Sequence, residues 1–212
     1  MMNRDAFARL VGETVMHFTP AANLAGIQEL GLLRPIELGR RAEINLSELV
    51  LRQNRLDLRI GTVSASLNHQ KPLRAAKSDD FIDQMSRAEW SSQLDQRLFF
   101  LPTKRKLDSA FSTSFGEQSY RLIFDSRRFY DAFAPDIFLS PINSGSATRF
   151  PARRGSWLYV PVAAGETAFR GNRVKRGLVK SPDAVVEISI RRDIGPDLLH
   201  RLRIYEWTQT QS

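Results

Sequence analysis

Two spacings of apolar residues organise this chain. Glu13-Thr14-Val15-Met16-His17-Phe18 is a β-branched and aromatic run that predicts a strand, and beyond Thr19-Pro20 the apolar Leu24, Ile27 and Leu30 fall at helical spacing. Thr19 is placed to cap that helix, Pro20 suits its first turn, and Gly31 suits the left-handed position past its end. Residues 40–55 read as a basic helical stretch, and residues 60–67 as a strand or an extended loop. Asp79, Asp80, Phe81, Ile82 and Met85 after Ser78 predict a capped helix, and Ser86-Arg87-Ala88-Glu89 is a capping box that starts another. Residues 97–101 form a compact apolar strand ended by Pro102, residues 120–124 a second, with a Thr103-capped helix between them. Residues 139–155 carry Pro, Asn, Ser, Gly and three arginines without periodicity, which predicts a long surface loop. Residues 157–162 resume strand character, residues 163–180 are basic and contain glycine, and residues 184–190 form a clear strand. In that last strand Val186, Ile188 and Ile190 share one face, while Val185, Glu187 and Ser189 share the other.

Composition narrows the class. A chain of 212 residues with 42% hydrophobic content can bury one substantial core, and one domain spanning residues 1–212 is expected. There are no cysteines, and the three histidines, at positions 17, 69 and 200, do not make a short-spaced metal motif, so no metal is expected. No apolar run approaches the roughly 20 residues that cross a bilayer, and residues 1–11 are charged and amphipathic, so the expectation is a cytoplasmic protein with no membrane partner. The net charge of +8 invites an anionic partner. G-x-S-x-G, Walker and G-x-G-x-x-G motifs do not occur, which removes the usual markers of serine hydrolases, P-loop NTPases and Rossmann folds.

A carboxylate in a strongly apolar strand needs a reason. Glu187 is either a functional group, or a residue on the solvated face of an edge strand, or the partner of Arg191 or Arg192. His17 is either a ligand group or a satisfied, half-buried histidine. Adjacent strand residues face opposite ways, so of Phe99 and Phe100 one ring is expected toward a cleft and one toward the core, unless both are core. Lys71, Arg74, Arg149, Arg153 and Arg154 are cations on loop-like segments suited to phosphate, and Asn143-Ser144-Gly145-Ser146 is a turn that could offer amides to an anion. Arg170, Arg173, Lys175 and Arg176 belong to the densest basic stretch, which reads either as a nucleic-acid grip or as a solvated loop.

Motifs spread over nearly the whole chain resemble the DarT-type ADP-ribosyltransferase toxins, and more closely an uncharacterised bacterial family related to them. They are His17-Phe18-Thr19 with Asn23-Leu24 and Gly31-Leu32-Leu33, the strand Leu98-Phe99-Phe100-Leu101-Pro102, and Ala184-Val185-Val186-Glu187-Ile188-Ser189-Ile190. The closer resemblance adds Gln70-Lys71-Pro72-Leu73, residues 139–146 and Arg153-Arg154-Gly155. It implies an α+β fold in which two facing, mainly antiparallel sheets form an NAD cleft with helices around it. It further implies that Glu187 is catalytic, that His17, assisted by Thr19, holds ribose hydroxyls, and that a ring of the Phe99-Phe100 pair stacks on nicotinamide. The toxins often have a tyrosine in that strand, and its hydroxyl is lacking here. The implied activity is ADP-ribosyl transfer from NAD to nucleic acid, of a toxin or defence-effector type with an antitoxin or immunity partner. NAD hydrolysis, protein ADP-ribosylation and a non-catalytic nucleic-acid-binding module are the alternatives.

Overall fold

The computed structural model describes residues 2–74, 76, 78–103, 119–146, 152–181 and 183–202, and the backbone of 208–210. The protein is α+β. Among the described residues, helices α1 (Arg4–Val11), α2 (Leu24–Leu30), α3 (Pro35–Arg41), α4 (Lys71–Arg74), α5 (Arg87–Asp95), α6 (Ser126–Phe133), α7 (Gly165–Val174) and α8 (Pro196–Leu202) accompany nine strands. These are β1 (Thr14–Pro20), β2 (Leu56–Ile60), β3 (Val63–Leu67), β4 (Leu98–Pro102), β5 (Ser119–Asp125), β6 (Ile137–Ser140), β7 (Val160–Pro161), β8 (Glu187–Ile190) and β9 (Thr208–Thr210). Seven strands join in one antiparallel sheet ordered β7-β6-β8-β4-β1-β5-β9, and β2-β3 is a separate hairpin. The expected pair of facing sheets is thus one sheet in two halves. Their seam is short, because β1 and β4 pair only at Val15–Pro102 and Met16–Leu101. Among the described residues no helix is long and apolar enough to cross a membrane.

In the middle strands of the large sheet, alternation sends apolar side chains to one of two cores, while Leu58 and Leu67 of the β2-β3 hairpin join a third around Leu49. Leu98, Phe100, Ile137, Leu139, Ile188 and Ile190 point into the larger one, with Phe7, Phe124, Phe129, Phe169 and Leu199. Phe99 and Phe138 point the other way, onto Trp90, Leu94, Leu158 and Tyr159. Both faces of the middle strands are therefore covered, and a polar side chain there must find a partner inside the protein.

Chain ends of the site are locked by local chemistry. Gly31, at φ +85°, follows α2; a Cβ there would lie 2.1 Å from the Ile194 carbonyl oxygen. Leu32 bridges Ile194, and Arg34 grips the Asp193 carboxylate through its amide, Nε and NH2 at 2.7–3.0 Å. This ties the segment after β1 to the segment after β8. The Ser86 capping box is present and starts α5.

Several expectations change. The strand expected over 184–190 begins only at Glu187, and of 157–162 only Val160–Pro161 is strand. Thr19 and Pro20 finish β1 instead of opening a helix; Asn23 precedes α2 and donates to Thr19 Oγ1 at 3.0 Å. The stretch 40–55 is mostly not α-helical, since Glu43 and Leu51 take positive φ and interrupt the turns. Residues 78–85 form no helix; their backbone instead pairs with Arg154, through Asp83 N to Arg154 O (2.7 Å) and Arg154 N to Phe81 O (2.8 Å). The loop expected from 139 starts after β6, and the basic segment 163–180 contains α7. The Thr103-capped helix and Arg149 lie outside the described residues.

Candidate functional site

Glu187 opens β8, between β6 and β4, so it is on an interior strand and only 6% exposed. The solvated-edge reading fails on that position. Arg191 and Arg192 face other groups: Arg191 donates to Gln96, and Arg192 lies by Asp136. The carboxylate instead meets the turn after β6. Asn143 Oδ1 accepts from Gly145 N and Ser146 N, both at 3.1 Å, closing a loop that returns Ser144 to the sheet. Ser144 N–H donates to Glu187 Oε2 at 3.0 Å, and its hydroxyl lies 2.7 and 2.8 Å from the two carboxylate oxygens. The Ser144 carbonyl is itself held by Trp90 Nε1 at 3.2 Å and by Arg154 at 2.7 Å. Burial pushes the Glu187 carboxyl up to about 7, against the Ser144 hydrogen bonds and the charges of Arg97 and Arg154, which pull it down.

His17 stands where β1 leaves β4. Its Nδ1 is 2.8 Å from the Phe99 carbonyl oxygen. A carbonyl only accepts, so Nδ1 carries the proton and Nε2 keeps a lone pair. Burial lowers the imidazole pKa, which keeps the ring neutral. A cavity of about 240 Å³ is lined by His17, Phe99, Asn143, Ser144 and Glu187. A second, of about 180 Å³, adjoins it through His17, Phe18 and Phe99 and is lined further by Thr19, Asn23, Arg52 and Arg97. Both rings touch the first cavity, but Phe100 is 1% exposed with its ring on Phe124 and Phe129, and only Phe99 lines both cavities.

The other candidates are placed elsewhere. Lys71 and Arg74 lie exposed on α4 and line neither cavity. Arg154 is buried, at 1% exposure, and engaged with the Ser144 and Ala152 carbonyls; Arg153 is exposed and paired with Asp83. The amides of 144–146 bind Glu187 and Asn143, so the turn holds an internal carboxylate and offers none of these amides to an outside anion. Arg173, 5% exposed, donates to the Ala184 and Lys180 carbonyls, which corrects its assignment to a nucleic-acid grip. Arg170 is paired with Glu166 and Asp183. Arg176 lies 3.4 Å over the Trp157 ring, and Lys175 is exposed.

Arg97 is the residue that pattern reading missed. It is buried 3.7 Å over Tyr159 and 4.8 Å over Phe138, with one hydrogen bond to Ser189 Oγ at 3.3 Å and no partner for its Nε among the described residues. Burial pulls its pKa down to about 10. Its only signal in the sequence is a charge at the mouth of an apolar strand.

Fold and site together define an α+β protein with a buried, serine-anchored carboxylate that shares a narrow cleft with a neutral histidine. Residues 13–202 match a family described as a family of unknown function (DUF7002), and the chain belongs to it. No curated protein matches the sequence.

Proposed function

We propose that the protein is an ADP-ribosyltransferase that takes its donor group from NAD, on an ADP-ribosyltransferase-like fold, with nucleic acid as acceptor. One observation carries the reading: His17, Phe99 and Glu187, from three separate strands, line one cavity. NAD supplies an N-glycosidic bond whose cleavage develops positive charge on the ribose. In its ionised form Glu187 answers that charge from a site where water is excluded and a carboxylate acts strongly. Ser144 holds the carboxylate in one orientation. The neutral His17 accepts a ribose hydroxyl at Nε2, and the Phe99 ring offers a flat face to nicotinamide. Arg97, lining the neighbouring cavity, supplies the positive field for phosphates, whereas Arg52 there is paired with Asp95, and the net charge of +8 favours a polyanionic acceptor.

The test is incubation with labelled NAD and separate pools of single-stranded DNA, duplex DNA, RNA and protein. Label is expected on nucleic acid. Glu187→Gln keeps the shape and loses the charge, so turnover should fall about a hundredfold or more while NAD affinity changes little. His17→Ala should weaken both NAD binding and rate, because it acts in ground and transition states alike. A folded Glu187→Gln protein with full activity overturns the mechanism, and nicotinamide release without labelled acceptor makes the protein a glycohydrolase.

A further inference from the structure

A second cleft, larger than the one at Glu187, is present among the described residues. A cleft of about 970 Å³, the size of a site for a whole nucleotide or more, lies on the far side of the turn after β6. That turn gives Ile142 to the wide cleft and Asn143, Ser144 and Gly145 to the Glu187 cavity. The two sites thus share one turn, dividing between Ile142 and Asn143.

Its lining is of two kinds. Ile142, Tyr159, Val160, Pro161 and Leu178 are apolar, and Trp157 carries the Arg176 guanidinium on its ring at 3.4 Å. Asn172 Oδ1 and the Arg153 carbonyl accept hydrogen bonds from that guanidinium, at 2.9 and 3.0 Å, and fix its place on the ring. Three cations line the cleft, Arg153, Lys175 and Arg176, against one carboxylate, Asp83. Asp83 is already bound by Arg153 and by Trp157 Nε1, so the excess charge is positive. Gly155 makes the close approach to Trp157 possible: a Cβ there would lie 2.8 Å from Trp157 Nε1. On the helix wall, Ala168, Gly171, Asn172 and Lys175 share one face of α7 and its C-terminal turn, and a Cβ added at Gly171 meets no atom within 4 Å. A helix-interior glycine weakens a helix relative to alanine, and here its effect is to leave the cleft open.

A flat cation plane beside apolar walls, with further positive charge at the rim, is the chemistry that recognises an unpaired base with its phosphate. We propose that this cleft takes a single-stranded nucleic-acid segment, one base against the Trp157–Arg176 stack and the adjoining phosphate on Lys175. The inference deepens the transferase reading by giving the acceptor a place, and it rests on that reading only for the word acceptor. Duplex does not fit the same description, because its bases are already stacked.

The test is anisotropy of a labelled mixed-sequence single-stranded oligonucleotide, with no NAD present. Gly171→Leu fills the cleft from a position with free space, and should weaken binding tenfold or more without lowering the unfolding temperature. Ala168→Met, exposed and one turn earlier, is a second block should the first variant misfold. Lys175→Gln should reduce the slope of log affinity against log salt by about 0.7, the contribution of one phosphate contact on a single strand. Wild-type binding by both blocking variants overturns the proposal. So does displacement of the strand by polyglutamate of equal charge, which would mean charge without stacking, and so does weakened NAD binding in Gly171→Leu, which would make the cleft a donor site. A wild-type protein that fails to cleave NAD overturns the transferase reading and leaves the oligonucleotide result to decide the cleft.

Discussion

Burial strips water from the Glu187 carboxyl and favours its neutral form, whereas the Ser144 amide and hydroxyl, with Arg97 and Arg154 nearby, favour the charged one. The balance at about 7 places the titration within the working range of pH. A charge-stabilising role needs the ionised form, so turnover should rise as pH passes through about 7. Ser144→Ala removes one of the two donors and leaves the amide. Ionisation then becomes harder, and the acid limb should move to higher pH by roughly one unit, the equivalent of a hydrogen bond to a charged group. Turnover measured against pH for both proteins checks this. A limb that stays in place would assign the titration to another group. The carboxylate was legible in the sequence as a lone charge in an apolar strand. Its partner was not, because Ser144 reaches it only through a turn that Asn143 closes.

Helix α7 shows how an element decides what its charges do. The count of cations between 170 and 180 invites a polyanion, yet the helix places Arg173 inward, where it joins the carbonyls of Ala184 and Lys180 and so anchors the segment that leads into β8. Arg173→Ala should therefore destabilise the fold by about 2 kcal/mol, the scale of lost hydrogen bonds to a charged group, and leave oligonucleotide affinity unchanged. Denaturant unfolding together with the anisotropy measurement separates the two. Weakened binding at unchanged stability would return Arg173 to the nucleic-acid surface. The capping box at Ser86 was readable because both its bonds lie within four residues, whereas the partners of Arg173, the Ala184 and Lys180 carbonyls, lie beyond the helix.

At the scale of the molecule, two buried carboxyls among the described residues, with raised pKa values, couple stability to pH. Glu187 goes from 4.5 to about 7, and Asp95, buried beside Arg52 and Gln70, from 3.8 to about 6. For a raised acid the folded state binds the extra proton, so the stabilisation is fully present below the unfolded pKa and is lost as pH rises through the folded one. Asp83 and Asp193, held low by arginines, work in the opposite direction as pH falls. The difference between wild type and Glu187→Gln isolates one group. It should grow in favour of wild type by on the order of 3 kcal/mol from pH 7.5 to 4.5, read from unfolding free energies. A difference independent of pH would mean that Glu187 is not buried as described. At this scale the division between sequence and structure has a plain cause. The sequence by itself determined the strand at His17, the apolar strand at Phe99, the carboxylate strand at Glu187, the helix cap at Ser86 and the turn glycine at 31, because each depends on residues within one pleat or one helical turn. Tertiary structure alone decided that His17 bonds the Phe99 carbonyl, that Ser144 holds Glu187, that Arg97 lies beneath them, and which cations face water. Those outcomes join residues far apart in the chain, and an arginine has the same letter whether it meets solvent, a carbonyl or a ring.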